Sequence, residues 1–358
     1  MKTEEKQLFW QLCSFQNECF DSSLLRYASP EVLGHLFFNR MQGIACGVLK
    51  KHNALEGVNR EFRHSLQGAY EQNIEKNRSF MQSVALLSET LRPCSDRYAM
   101  LKGAYLCGAY PDGYRTANDV DLLVRPEDVT RIGEALTKAG FRQGHVRGGE
   151  FVPAGRKEII ESKMLRGETV PYILEIGLPK MRFLEVDINF SLDYKNGDSA
   201  VLNAMLERVT NTEAKKVRIP VLNKCDFLIH LCCHLYKEAA ALPWVEMKRD
   251  MTLYKYADVY MLLNRMSEAD MAEWLDRARE LELERICAFA VLQTAELFAG
   301  GNPAAEKTAE EILRSDPDFL HRVISPSEKK TYIYTTRNIA DRFFMSDRAA
   351  DLAEVSGV

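Results

Sequence analysis

The segment 118–124, which reads Asn-Asp-Val-Asp-Leu-Leu-Val, constrains the fold and chemistry of this chain more than any other segment. Side chains two residues apart in a strand point to the same face, so Asp119 and Asp121 are expected side by side, with Val120 and Leu122 facing a core. Two neighbouring carboxylates repel each other unless a cation or a proton relieves them. Hard divalent cations prefer oxygen ligands, and Mg²⁺ with a phosphate-bearing substrate is the commonest case. The segment therefore predicts an acidic strand at a metal-dependent site.

Size and composition are those of an ordinary globular protein. The 358 residues are 46% apolar and 27% charged, which predicts a large core divided into two or three units. The formal net charge of −4 and the pI near 6.1 argue against a general nucleic-acid coat. Since the sequence has no run of about 18 apolar residues, no membrane span and no membrane partner are expected.

The amino terminus and the cysteines predict a cytoplasmic location. The first six residues include acids and lead into no long apolar stretch, unlike a secretion signal. The nine cysteines follow no regular spacing, and an odd number without a signal favours reduced thiols.

Hydrophobic spacing predicts an α+β chain in three regions. Residues 1–92 are expected to be helical, residues 93–222 to form a small mixed sheet, and residues 223–358 to be helical again. Ser29 and Pro30 are typical of a helix start. The more specific expectations are a long helix at about 56–91, strands at 97–101, 157–160, 170–176 and 183–192, a turn-rich loop from 102 to 113, an edge strand or β-arm at 217–222, and a last helix from about 325 through Phe344.

The predicted strand 183–192 alternates regularly and offers a third carboxylate. Its even-numbered residues from Leu184 are apolar, which predicts one buried face and one face towards a cleft or solvent. Asp187 lies on the polar face, with Glu185 as its rival two positions earlier. A lysine–glycine turn at Lys102 and Gly103 precedes the acidic strand.

These motifs resemble those of the nucleotidyltransferase superfamily of the DNA polymerase beta type. The resemblance covers roughly residues 80–265 and is closer to the bacterial family known only as uncharacterised nucleotidyltransferases. The matching segments are Leu101-Lys102-Gly103, Tyr110-Pro111, Gly113-Tyr114-Arg115, Asp119-Val120-Asp121-Leu122-Leu123-Val124, Leu184-Glu185-Val186-Asp187-Ile188-Asn189-Phe190 and the following helix from Cys225.

The resemblance implies a reaction and a site. Asp119, Asp121 and Asp187 would ligate two Mg²⁺ ions, with Mn²⁺ as the substitute, about 3.5–4 Å apart. Asp187 would also help to deprotonate a hydroxyl acceptor. Gly103 would let the backbone approach the phosphates of a nucleoside triphosphate, expected to be ATP, and Lys102 or Arg115 would neutralise phosphate charge. The acceptor hydroxyl would attack the α-phosphate and release pyrophosphate.

The sequence departs from the family pattern at two positions, and other functions stay open. Ala104 stands where relatives have a glycine or serine, and Asn189 where relatives often have a histidine. The alternatives are a catalytically silent adaptor with the same fold and a glycosyltransferase that uses the Asp-x-Asp pair. The acceptor is not specified: an aminoglycoside-like small molecule, a tRNA end, a protein hydroxyl and a peptide product all fit the fold. The oligomeric state is equally open.

A second group of residues with metal-ligating side chains lies on a predicted helix. His230, Cys233 and His234 share one helical face, an arrangement that zinc sites also use. Because the surrounding helix is apolar and no fourth ligand is evident, core packing is the preferred interpretation.

Overall fold

A computed structural model of the chain describes residues 1–94, 97–165, 167–192 and 199–355. The chain forms two compact units. One unit comprises Ala69–Phe227, and the other comprises Met1–Gly68 together with the chain from Leu228 onward. The division into three domains predicted from the sequence, with boundaries at residues 92 and 222, stays a prediction.

The secondary structure is mixed, with long helical stretches before and after the strands of the first sheet. The α-helices α1 to α15 span, in order, Thr3–Cys13, Pro30–Phe38, Gln42–Lys51, Arg60–Thr90, Gly103–Ala109, Val129–Lys138, Arg156–Leu165, Ser199–Leu206, Lys224–Ala239, Leu242–Glu246, Leu253–Leu263, Glu268–Glu280, Glu284–Leu297, Pro303–Leu313 and Ile339–Phe343. The strands β1 to β11 span Tyr98–Met100, Asp119–Val124, Arg142–Arg147, Glu150–Pro153, Tyr172–Leu178, Met181–Asn189, Thr210–Ala214, Val217–Val221, Arg322–Ser325, Lys330–Tyr334 and Leu352–Val355. Short 3₁₀ turns cover Ser22–Tyr27, Leu55–Gly57, Arg92–Cys94, Pro126–Asp128, Pro317–His321 and Ala349–Asp351.

The unit Ala69–Phe227 is built on one mixed eight-stranded sheet. Its strand order is β4-β3-β5-β6-β2-β1-β8-β7. Strand β2 runs parallel to β6, and β1 runs parallel to β8, while the other neighbours are antiparallel. The fold class expected from the sequence, α+β with a mixed sheet between helical regions of the chain, is confirmed.

The acidic strand β2 lies inside this sheet because one of its faces is apolar. The side chains of Val120, Leu122 and Val124 are fully buried and join a core cluster that includes Val186 and Ile188 of β6. The alternation predicted for both strands is therefore confirmed, and it turns the acidic side chains of both strands towards the other face.

One predicted strand is wrong, and another is present but does not lie at the edge of the sheet. Residues 157–160 lie in α7, where the amide of Ile159 donates to the carbonyl of Gly155 at 3.1 Å. Two isoleucines in a short run do not separate a strand from a helix, and the residues that follow favour a helix. Strand β8 is not an edge strand, because it lies between β1 and β7. Proline cannot donate a backbone hydrogen bond to a neighbouring strand. Strand β1 pairs with β8 at Val221 rather than at Pro220.

The helix predicted to start near residue 325 is also wrong. Ser325 ends β9, and Lys330 begins β10, so the residues between them form the turn of a hairpin. The backbone of Lys329 has a φ of 55°, which a turn accommodates and a helix does not. Ser325 and Pro326, a pair that is typical of a helix start, therefore lead into a turn. A short helix, α15, follows only at Ile339–Phe343.

The unit formed by the chain ends is mainly helical and carries the three-stranded sheet β11-β10-β9. A buried ion pair joins Arg348 to Asp250 at 2.6 Å, and the hydroxyl of Tyr334 donates to the same carboxylate at 3.2 Å. All nine cysteines lie within the described residues, and no two of them form a disulfide. Among the described helices, none has the length and apolar character needed to cross a membrane.

Helix α5 occupies part of the loop that the sequence predicted, and Gly103 begins it against β2. Lys102 precedes the helix with a φ of 39°, which turns the chain sharply after β1. A Cβ atom on Gly103 would clash with the Cβ of Ala117 and approach the ring of Phe80 to 3.6 Å. The glycine therefore lets α5 pack closely beside the start of β2, a role that is independent of any phosphate.

We expect Gly103→Ala to lower the free energy of unfolding by about 1–3 kcal/mol, because an added methyl group overpacks this contact. Chemical denaturation of the protein without nucleotide measures the change. The control is Gly68→Ala in helix α4, where an added Cβ meets no atom within 4 Å. That variant should gain about 0.5–1 kcal/mol from the higher helix propensity of alanine. Equal stability changes in the two variants would contradict the packing role of Gly103.

Candidate functional site

The register between β2 and β6 places four carboxylates on one face of the sheet. Asp119 lies opposite Glu185, and Asp121 lies opposite Asp187, on two adjacent parallel strands. Strands in a sheet are about 4.8 Å apart, so the facing side chains start from neighbouring backbone positions. The three aspartates predicted for the site are thus brought to one place, and Glu185 joins them as a fourth acid.

Burial, and then repulsion between the carboxylates, raises the pKa of three of these acids. The pKa of Asp187 is raised well above its usual range, chiefly because the side chain is removed from water, and further by the charges of Asp121, Asp119 and Glu185. The pKa of Asp119 is also raised, first by burial and then by Asp121. Burial and the charge of Asp119 raise the pKa of Glu185. The site therefore holds more negative charge than the side chains there can neutralise.

Among the described residues, the side chains of Lys102 and Asn189 contact Asp121. The ammonium Nζ of Lys102 lies 3.0 Å from Asp121 Oδ1. The amide Nδ2 of Asn189 donates to the same oxygen at 3.4 Å, and it also lies 3.5 Å from the backbone carbonyl of Asp187. Asn189, which stands where the family pattern often has a histidine, therefore links the two strands beside the acids.

Basic side chains gather at the beginning of β2. The charge of Arg115 lowers the pKa of Asp119, so its half-buried guanidinium lies within electrostatic reach of that carboxylate. The amide of Asn77 donates to the backbone carbonyl of Arg115 at 2.5 Å, which fixes the loop before the strand. Lys76 of helix α4 bonds to the side-chain oxygen of Asn118, the residue before Asp119. Motif spacing pointed to Arg115 but gave no signal for Lys76, which lies 42 positions before Asn118.

The side chains are suited to a divalent cation in chemistry, although they do not enclose one as they stand. Within the part of the chain that the structure describes, no group of three or more His, Cys, Asp or Glu side chains is arranged so that it could hold a metal ion. The donors of Asp119, Asp121 and Asp187 are all carboxylate oxygens, which Mg²⁺ prefers. Their mutual repulsion is what a cation would relieve. Metal binding would therefore require that these carboxylates turn towards one point.

The face of α9 that holds His230, Cys233 and His234 lies in the other unit. His230 and Cys233 are buried, and the ring of His234 lies 3.4 Å from Glu238. Burial of two of the three side chains in an apolar helix agrees with core packing.

A comparison with protein families agrees with the nucleotidyltransferase motifs of the sequence. The model of a family described as "Uncharacterised nucleotidyltransferase" matches residues 30–299, about three quarters of the chain. Among solved structures, the chain is similar to an antigenic nucleotidyltransferase-like protein from Paracoccidioides brasiliensis, with 13% sequence identity and a TM-score of 0.31. That match covers 56% of this chain and 89% of the other. No curated protein matches the chain.

We expect Asp187→Asn to stabilise the metal-free protein at neutral and alkaline pH. Because the pKa of Asp187 is raised on folding, its ionisation costs stability as the pH rises from the unfolded value, about 3.9, through the raised value. Removing that charge should add on the order of 1 kcal/mol at pH 8, or about 2–4 °C in Tm. Thermal unfolding from pH 4 to pH 8 measures the gain, which should vanish near pH 4.

The matched control is Glu134→Gln, a neutralised carboxylate that lies exposed on α6. It should leave the pH profile of the wild type unchanged. An Asp187→Asn variant that is equally stable or less stable at pH 8 would contradict the raised pKa of Asp187.

Proposed function

Since the chain belongs to the family of uncharacterised nucleotidyltransferases, we propose that it transfers a nucleoside monophosphate from an NTP to a hydroxyl acceptor in an Mg²⁺-dependent reaction. ATP is the expected donor, and pyrophosphate is the leaving group. The family match extends on both sides of residues 80–265, the part of the chain that carries the motifs. The observation that carries the proposal is the placement of Asp121 opposite Asp187, with Lys102 and Arg115 nearby.

The acids and the basic residues have separate tasks in this proposal. Asp119, Asp121 and Asp187 would hold two divalent ions, which would supply positive charge to the entering and leaving oxygens when bound. Arg115 and Lys102 would neutralise phosphate charge. Lys102 would then turn from Asp121, which it contacts at 3.0 Å, to a phosphate oxygen.

Asp187 would act as the proton acceptor. The oxygen of the acceptor hydroxyl forms a bond to the α-phosphorus, and the bond from that phosphorus to the bridging α,β-oxygen breaks. The hydroxyl proton passes to a carboxylate oxygen of Asp187, and pyrophosphate leaves. Within the described residues, no hydrogen bond or ion pair engages the carboxylate of Asp187, so its oxygens are available to an acceptor.

One observation favours a second candidate, a catalytically silent protein of the same fold. The ammonium of Lys102 already compensates part of the negative charge beside Asp121. A lysine in this position can stabilise an acidic site that no longer binds a cation. Direct nucleotide binding separates the two candidates, because only the enzyme requires a metal–nucleotide complex at this site.

We expect Asp121→Asn to reduce Mg²⁺-dependent nucleotidyl transfer on the order of 100-fold or more, because the variant loses one of the charged carboxylates proposed to hold the metal ions. The assay follows the incorporation of label from α-labelled NTPs into a cell extract, which also reveals the acceptor. Glu134→Gln is the control and should keep the wild-type rate. Unchanged turnover in Asp121→Asn would refute the assignment, and label in no fraction with Mg²⁺ or Mn²⁺ would count against the enzyme.

We expect calorimetry of the wild type with ATP to show binding that depends on Mg²⁺ and disappears when EDTA is added. Asp121→Asn should lose the metal-dependent part of the binding heat, whereas Glu134→Gln should retain it. If the wild type binds ATP neither with nor without Mg²⁺, the silent protein is the correct candidate.

A further inference from the structure

Lys102 holds its ammonium group beside the acids that the proposed function assigns to the metal ions. Its Nζ lies 3.0 Å from Asp121 Oδ1, and the two side chains are 22% and 12% exposed. Burial raises the pKa values of Asp119 and Asp187, and the charge of Lys102 opposes both increases. One ammonium group therefore acts on all three aspartates, as a bound cation would.

The carboxylate oxygen that Lys102 contacts has a second donor. The amide Nδ2 of Asn189 approaches the same Oδ1 of Asp121 at 3.4 Å. A divalent ion binds through carboxylate oxygens, so it has to displace these donors from Asp121 Oδ1. This competition adds to the arrangement of the acids, which do not form a metal site as they stand within the described part of the chain.

The backbone around the ion pair is held, so only the side chain of Lys102 has to move. The amide of Leu101 donates to the carbonyl of Asp121 at 2.9 Å. The carbonyl of Lys102 accepts from the amide of Leu106 in α5 at 2.8 Å. Lysine carries its charge on a flexible four-carbon stem, and this side chain is not fully buried. The ammonium group can therefore leave Asp121 without a change in β1, β2 or α5.

A divalent ion and a phosphate act on Lys102 in opposite directions. Like charges repel, so a divalent ion beside Asp121 is disfavoured while the ammonium group stays there. The phosphates of a nucleotide are negatively charged and attract the ammonium group. A metal ion that arrives alone meets this competitor, whereas a metal–nucleotide complex brings the groups that draw the competitor away.

We propose that Lys102 makes metal binding depend on the nucleotide. In the free protein its ammonium group competes with a divalent ion for Asp121, and it moves to a phosphate oxygen when a metal–nucleotide complex enters. The move to phosphate rests on the proposed function, whereas the competition with the metal depends only on the ion pair. Binding of the metal and binding of the nucleotide are therefore coupled through one side chain.

The test uses Mn²⁺ alone, whose binding is measured by electron paramagnetic resonance at pH 7.5 without nucleotide. We expect Lys102→Met to bind Mn²⁺ at least about 10-fold more tightly than the wild type, because it keeps the three aspartates and loses the competing charge. Lys102→Arg keeps the charge and should match the wild type within about 3-fold. Equal Mn²⁺ affinities of Lys102→Met and the wild type, or an equal gain in Lys102→Arg, overturns the inference.

Three further variants isolate the competition at Asp121. Lys138→Met removes an exposed charge from α6 and should bind Mn²⁺ as the wild type does. The double variant Lys102→Met with Asp121→Asn has the net charge of the wild type and should lose the gain, because the contested carboxylate is absent. If Lys102→Met does not fold, Lys102→Gln replaces it, since glutamine can donate to Asp121 but carries no charge. A gain in Lys138→Met, or one that persists in the double variant, overturns the inference.

The coupling to the nucleotide is measured with Mn²⁺ and ATP together. In the wild type, the affinity for the Mn²⁺–ATP complex should exceed the affinity for Mn²⁺ alone. We expect this ratio to fall at least about 10-fold in Lys102→Met, because the variant loses both the competition and a phosphate contact. An unchanged ratio overturns the coupling.

The outcomes separate this inference from the proposed function. Tighter Mn²⁺ binding by Lys102→Met, in a protein that neither binds ATP nor transfers label, supports the competition at Asp121 and overturns the enzyme. Mg²⁺-dependent transfer by a protein whose Mn²⁺ affinity is the same with Lys102 and with Met at this position supports the enzyme and overturns the inference.

Discussion

The parallel pairing of β2 with β6 is the constraint on which the site depends. Both strands have an apolar face in the core, with Val120 and Leu122 of β2 beside Val186 and Ile188 of β6. Since side chains alternate, burying this face turns the acids of both strands to the other side. A shift of one residue would expose the apolar face, so the burial of the core holds the carboxylates together despite their repulsion.

The surroundings of these acids are arranged by charge. Lys102 and Arg115 bring positive charge to the beginning of β2, where phosphates could be held. A cavity beside Asp187 is lined by further carboxylates, among them Glu168. Asp187 lines this cavity and lies opposite Asp121, and the attacking hydroxyl and the phosphate of a transfer reaction would meet there.

The errors of sequence interpretation lie where local patterns have two readings. Residues 157–160 offer two isoleucines that suit a strand or a helix, and their place in α7 carries Glu158 and Glu161 to the cavity wall. For Gly103 the sequence predicted an approach to phosphate, which stays a prediction, and the structure adds a packing role against Ala117. The packing of Gly103 depends on Ala117 and Phe80, which lie outside the local pattern around the glycine.

The sequence by itself determined the local features of this protein: an acidic strand, an alternating strand with Asp187, a lysine–glycine turn, and an α+β chain of the uncharacterised nucleotidyltransferase family. These features are local, so periodicity and motif spacing are sufficient to find them. Only the tertiary structure decided that Asp187 faces Asp121 while Glu185 faces Asp119, because strand register depends on how two distant segments bury their apolar faces together. The acidic cavity was likewise decided by the tertiary structure, since helix α7 and β6 meet there only after the sheet has formed.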